Sequence, residues 1–365
     1  MTLRVAILGG YGNFGGYIAR ALASDPVIEL VVCGRDGAKA SSFASELRAA
    51  NPARGAVDDI AEPDAALAAI APDLVIHAVG PFQGQDYTVA RAAITCGAHY
   101  CDLADARSFV AGIGELDEEA RQAGVFAIAG ASSVPCLTAA YLDRAAETMT
   151  IEDVDYGISA AQQTNRGLGT AAAILSYVGK PFTMLRDGAM RRVWGWQGIH
   201  SHAYPEIGRR WFGYCDIPDL DLFPQRYPEL RSMRFAAGHE IAPLHWGTWL
   251  LSWGVRSGIL PGLERWAGTL LRASFLFDPL GSDRSGFHLF VRGRDSVGRA
   301  VERRHWLIAR QGHGPNIPCM PAILIARKLA AGEDIAPGAR PCLDLITLDE
   351  YLAALEGLDI TAIDE

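Results

Sequence analysis

Residues Leu3 to Gly16 read LRVAILGGYGNFGG. A short apolar run enters a glycine cluster and leaves it into Tyr17–Ala23, a segment of helical pattern. Gly10, Gly12 and Gly15 fit the spacing G-x-G-x-x-G, set after a strand and opening a helix, which is the context the pattern needs. The three glycines serve different ends. Gly10 permits a tight turn, Gly12 lets the backbone approach a pyrophosphate, and Gly15 lets the helix pack close to the strand. The amides at the helix start then face negative charge. The stretch predicts a dinucleotide site, with a ligand-free strand-to-helix turn as its alternative.

Outward from this stretch, apolar runs alternate with helix-length segments. Strands are expected at Ile28–Cys33, Leu74–Val79, His99–Leu103 and Val125–Ala129, with helices at Ala38–Ala50, Tyr87–Cys96 and Glu115–Ala123. Runs that stay apolar without alternation suit strands covered on both faces, the habit of a parallel sheet with crossover helices. The repetition predicts an α/β, doubly wound parallel sheet.

After Pro135 the character changes. Strands are expected at Asp153–Ser159 and Ala189–Trp196 and a helix at Gly169–Val178. Seven of the eight tryptophans lie between Trp194 and Trp266. Phe287–Arg294 and Arg299–Ala309 alternate around GRDSVGR, a hairpin signal. A helix over Pro321–Ala331, then PGARPC and the LDEYLAAL helix, follow. The expected division is a domain of residues 1–134, completed by helices of about 315–365, and a second α+β domain of 135–314 with an antiparallel or mixed sheet.

With 365 residues, half of them hydrophobic, the chain exceeds one core and can build two. A formal charge of −9 and a pI near 5.5 argue against nucleic acid as the main partner. The apolar run at the N-terminus is too short for a secretory h-region, so a cytoplasmic location is expected. Seven scattered cysteines show no C-x-x-C pair and read as reduced thiols.

Candidate chemistry gathers after the expected strands. Val32-Cys33-Gly34-Arg35-Asp36 places Arg35 where a dinucleotide fold chooses its cofactor, and a guanidinium there favours NADP over NAD. Asp36 could serve the ribose hydroxyl of NAD instead. Asp58, with Asp59, follows a short third strand and is placed toward the adenine end. Gly80 would admit the cofactor ribose, with Phe82 and Gln83 near the nicotinamide, although Gly80-Pro81 also reads as a plain turn. Tyr100, Asp102 and Asp105, in HYCDLADAR, are the candidate catalytic group for proton transfer or substrate orientation. Each aspartate alone also reads as a helix cap.

Cys136 sits at an expected helix start, the place of an acylating nucleophile, against a buried structural role. His200, His202, His239, Glu240 and His245 offer a general acid but no recognised metal spacing, so no metal is expected. His245–Phe277 is strongly apolar with Trp and Arg interspersed. It is read as interior or interface, with a membrane-surface helix as the less favoured alternative.

These residues together resemble the saccharopine dehydrogenase-like oxidoreductases. The carriers are GGYGNFGG, the strand ending in CGR, HAVGPFQGQDYTVARAAITCGAHYCDLAD, the GASSVP crossover, and the late PNIPCMPAILIARKLAAGE helix with PGARPC. The likeness is good over residues 3–140, moderate over 312–355 and weak between. It implies an NADP-binding Rossmann domain, an inserted second domain and a dimer. Carried onto this chain, the cofactor roles fall on Gly10, Tyr11, Gly12, Asn13, Phe14, Gly15, Arg35, Gly80, Phe82 and the Tyr100–Asp102 segment. No match to a saccharopine-binding site is found in the Trp-rich middle. The expected activity is NADP-dependent hydride transfer to or from a small molecule, apolar substrates included. Its alternatives are an acylating dehydrogenase that uses Cys136 and a non-catalytic NADP-binding or membrane-surface module.

Overall fold

The computed structural model describes residues 2–365. Its chain divides into two compact units, Met1–Leu137 with Asn316–Ala354, and Thr138–Pro315 with Leu355–Glu365.

The first unit begins β1 (Leu3–Leu8), α1 (Asn13–Ala23), β2 (Ile28–Gly34), α2 (Gly37–Glu46), β3 (Arg54–Val57) and α3 (Asp64–Ile70). It continues β4 (Leu74–His77), α4 (Thr88–Thr95), β5 (His99–Asp102), α5 (Arg107–Gly112), α6 (Asp117–Ala123) and β6 (Phe126–Ala129). Val5–Leu8 and Leu74–Ile76 have no exposed surface, as strands covered on both faces should.

The second unit contains α7 (Thr138–Ala146), β7 (Met149–Ala160), α8 (Leu168–Tyr177), β8 (Pro181–Arg186), β9 (Ala189–Trp194), β10 (His200–Tyr204), β11 (Gly208–Tyr214) and α9 (Asp219–Arg226). There follow β12 (Ser232–His239), α10 (Ala242–Arg256), α11 (Ala267–Ser274), β13 (Ser285–Asp295) and β14 (Ala300–Ala309). The chain then supplies α12 (Met320–Ala330), β15 (Gly338–Pro341) and α13 (Leu348–Ala354) to the first unit, and β16 (Ile360–Asp364) to the second.

The first sheet runs β15-β6-β5-β4-β1-β2-β3 with every pairing parallel. Strand order reverses between β1 and β4, and ligands in such sheets bind beyond the carboxyl ends at that reversal. The second sheet is mixed, in the order β10-β11-β12-β7-β13-β14-β16, with β7 and β12 parallel and the β13–β14 hairpin antiparallel. The fold is thus α/β, a Rossmann-like parallel sheet plus a mixed-sheet unit. One expected boundary is corrected: residues 315–365 do not all complete the first unit. Strand β16 pairs antiparallel with β14, Ile360 opposite Ala309, because β14 otherwise ends the second sheet with an open edge.

Within the second unit, Asp219 in the first turn of α9 ties three elements. Its Oδ2 accepts from Thr138 Oγ1 on α7 (2.6 Å) and from Tyr156 OH on β7 (3.1 Å). The carboxyl has no exposed surface, and burial raises its pKa from 3.8 to about 7 despite those two bonds. The folded state therefore favours the protonated acid. That contribution is complete below the unfolded pKa and is lost as pH rises through the folded one. It amounts to roughly 4 kcal/mol at most, by the value of a pKa unit. The wild-type melting temperature is expected to fall between pH 5 and pH 8, and Asp219→Asn to shrink that fall. Melts of the two chains at both pH values check this, and an unchanged gap would count against it.

Candidate functional site

At the carboxyl end of β1 the chain turns through Gly9, whose φ of +74° is a left-handed conformation that glycine adopts freely. Gly9 and Gly10 both donate N–H to Cys33 O at 3.0 Å, which fastens the turn to β2. The tight-turn role expected of Gly10 therefore falls on Gly9. Gly10 is buried instead under Val32, whose Cγ1 lies 3.0 Å from where its Cβ would be. Gly15 has no room, because a Cβ there would lie 2.3 Å from Gly9 O.

Gly12 is different. It is exposed, has an ordinary φ of −77°, and a Cβ on it would meet only Gly9 O at 3.1 Å. It is also the N-cap of α1, with no side-chain capping bond, so the helix start is left for an external anion. Asn13 and Phe14 form the first turn of that helix. Tyr11 folds across the end of β2, its OH 3.3 Å from Asp36 N and its ring where a Gly34 side chain would sit.

Beyond β2, Arg35 is exposed, and no hydrogen bond or ion pair engages its guanidinium among the described residues. Asp36 is already employed. Its carboxylate caps α2 by accepting Lys39 N–H at 3.1 Å and pairs with Lys39 Nζ at 3.3 Å. Asp58, past β3, is buried, with its carboxyl raised to about 6 by desolvation and then by Asp59, and its Oδ1 is unpartnered.

After β4, Gln85 Nε2 donates to Val79 O and Pro81 O, both at 2.8 Å, and so holds the loop that carries Gly80. A Cβ on Gly80 would have only Phe82 nearby, at 3.9 Å. Phe82 is buried against His77 and Phe109, at centroid distances of 4.9 and 5.4 Å, so its place near a nicotinamide is corrected to a core position. Gln83 donates to Asp105 Oδ1 at 3.1 Å.

The catalytic trio divides. Tyr100 and Asp102 have no exposed surface, and neither has Cys101 between them, since β5 is covered on both faces. Asp102 accepts Ala104 N–H (2.9 Å) and Gly130 N–H (2.8 Å), tying the end of β5 to the end of β6; burial lifts it to about 6. Tyr100 OH lies 3.1 Å from Nδ1 of His77, a residue absent from the expected site. Burial lowers His77 to about 3, so its imidazole is neutral, and its Nε2 is unpartnered. The one sequence signal was a polar residue ending an otherwise apolar strand, Leu74–His77. Asp105 alone of the trio is partly exposed, and burial raises its pKa.

The acylating alternative fails. Cys136 is fully buried against the Cys342 thiol, and that contact and desolvation push it well above the usual thiol range. In the second unit, His200, His239 and His245 are held neutral by burial, near 4, 4 and 3, so none is an imidazolium at neutral pH. Asp155, His202 and His288 bring ligand-type atoms within 4.8 Å of one another. Arg234 already binds both oxygens of Asp155, which makes the group a buried ion pair.

With this geometry in view, residues 5–128 match the family described as the saccharopine dehydrogenase NADP binding domain. Over the whole chain, the fold is similar to that of an apo, histidine-tagged saccharopine dehydrogenase (L-Glu forming) from Saccharomyces cerevisiae. The two are 13% identical, with 100% of each chain covered and a TM-score of 0.69. An amine dehydrogenase from Mycobacterium smegmatis is 13% identical over 96% of each chain, with a TM-score of 0.46. No curated protein matches the chain by sequence. The saccharopine dehydrogenase NADP binding domain match and the shared fold support an oxidoreductase of that type with a nicotinamide dinucleotide cofactor.

Proposed function

We propose that the chain is an NADP-linked oxidoreductase that passes hydride between the nicotinamide and a carbon of a small molecule, in an imine, ketone or enoyl group. The observation that carries this is the pair at the ends of β1 and β2: an open Gly12 over an uncapped helix start, and an unengaged Arg35 beside an Asp36 already used as a cap. The residues fit the cofactor. The turn from Gly9 to Gly15 would hold the pyrophosphate, Arg35 the 2′-phosphate, and the loop of Val79–Gln85 the nicotinamide half.

When bound, the nicotinamide supplies or accepts the hydride at C4. The chain's own residues bind and orient. Asp105, partly exposed and oriented by Gln83, is the group placed to move a proton, and burial keeps its acid form to higher pH than an ordinary carboxyl. Asp102 is a positioning residue that fixes the loops after β5 and β6. The test is a titration with NADPH and with NADH followed by nicotinamide fluorescence. NADPH is expected to bind at least about tenfold tighter, the scale of one charge-assisted contact. Binding of neither nucleotide would overturn the reading.

A further inference from the structure

The apolar stretch from His245 onward is interior on one side only, where Leu263 and Ala267 join a core cluster with Trp196. Eight of the thirteen large hydrophobic residues that stand exposed among the described residues lie between Trp246 and Leu280. Along α10, Trp246, Leu250 and Trp253 follow a spacing of four and three and form one exposed stripe, while His245 and Ser252 are buried. The tips protrude further. Ile259, after α10, and Leu276 and Leu280, after α11, are 80%, 80% and 72% exposed. Isolated exposed leucines are ordinary, but their concentration in one segment, with three exposed indoles among them, is not.

Charge is distributed unevenly over the same segment. Its two acids are paired, Glu264 with Lys180 at 3.2 Å and Asp278 with Arg166. Arg256, Arg265 and Arg272 pair with no acid among the described residues, and all three are exposed. Arg256 lies over the rings of Trp194 and Trp253, at 3.7 and 4.8 Å. A chain of formal charge −9 thus carries, in the segment richest in exposed apolar residues, three arginines with no acid partner among the described residues.

We propose that this segment docks on the surface of an anionic lipid bilayer, with the Leu and Ile tips in the acyl boundary and the tryptophans and arginines at headgroup level. Indoles are suited to that depth, and basic residues near an anionic leaflet add to apolar insertion. The segment lies on the membrane and does not cross it: no helix among the described residues is long and apolar enough to span. A second copy of this chain fits less well. A two-fold interface is built from one patch meeting itself, which would gather two sets of these arginines, with no acid partner, in one contact. Of the interior or interface placement expected for His245–Phe277, the interior holds for Leu263 and Ala267, which are buried, and not for the exposed stripe.

The experiment uses the full chain and vesicles of phosphatidylcholine alone or with phosphatidylserine, read by flotation, with light scattering on the protein alone. The wild type is expected to float with the phosphatidylserine vesicles. Combining Leu250→Ser, Leu276→Ser and Leu280→Ser is expected to weaken partitioning more than about tenfold at unchanged melting temperature, because these side chains support no core. Arg265→Glu with Arg272→Glu is expected to reduce flotation with the anionic vesicles only. A wild type that stays in solution, or a triple variant that floats as well as the wild type, would overturn the proposal. So would a dimer in light scattering that the triple variant dissociates, which would assign the patch to a second copy.

Discussion

Alanine at Gly12 is expected to leave the fold standing and to weaken NADPH binding by about a hundredfold or more. The backbone at Gly12 has a φ that alanine adopts readily, and the added methyl meets one atom, Gly9 O, at 3.1 Å. What the methyl occupies is the open side of the turn, where a pyrophosphate must touch backbone to reach the helix start. Losing two charge-assisted contacts of roughly 1.5 kcal/mol each gives that factor. The melting temperature should move by no more than about 2 °C, as for a surface substitution in a domain of this size. Gly15→Ala serves as the contrast. Its methyl would lie 2.3 Å from Gly9 O, so the same small change there should cost about 1–3 kcal/mol of stability as overpacking. Fluorescence titration and thermal melts on both variants separate a binding glycine from a packing glycine. A Gly12→Ala chain that binds NADPH like the wild type would remove the pyrophosphate from this turn.

Alanine at Arg35 is expected to weaken NADPH about tenfold to a hundredfold and to leave NADH within about threefold, since a guanidinium on a phosphate contributes as a charged hydrogen bond. The side chain has no structural partner to lose, so the change should be silent in a melt. Parallel titrations with the two nucleotides check this. Equal weakening of both would mean that Arg35 reads something other than the 2′-phosphate.

The parallel sheet was legible because Val5–Leu8 and Leu74–Ile76 are covered on both faces and leave an unbroken apolar signature. The β13–β14 hairpin was legible in its alternation around GRDSVGR. Strand β15 was not, since GARP carries a glycine and a proline and joins the sheet only through backbone pairing with β6. The return of β16 to the second sheet also left no local mark, because strand pairing across distant sequence is set by tertiary context.

The site shows the same divide. The glycine turn after β1 was legible because the close backbone packing at Gly10 and Gly15 depends on residue type at fixed spacing. That Tyr100 and Asp102 face inward while Asp105 is reachable could not be read, because side-chain direction at a strand end depends on where the strand stops. His77 escaped notice because one histidine in an apolar strand resembles any satisfied core residue.

The swap of late segments between the two units bears on how the chain is made. During synthesis β6 emerges with one side unpaired and keeps it so until β15 appears, after all of β7–β14. Strand β14 then waits for β16 in the same way. The first nascent sheet therefore presents a bare row of backbone donors and acceptors through more than half of translation, and the second does so only near its end, the condition in which growing chains pair with one another. Yield of folded protein should depend on shielding those two rows at the ribosome more than on the strength of either finished core.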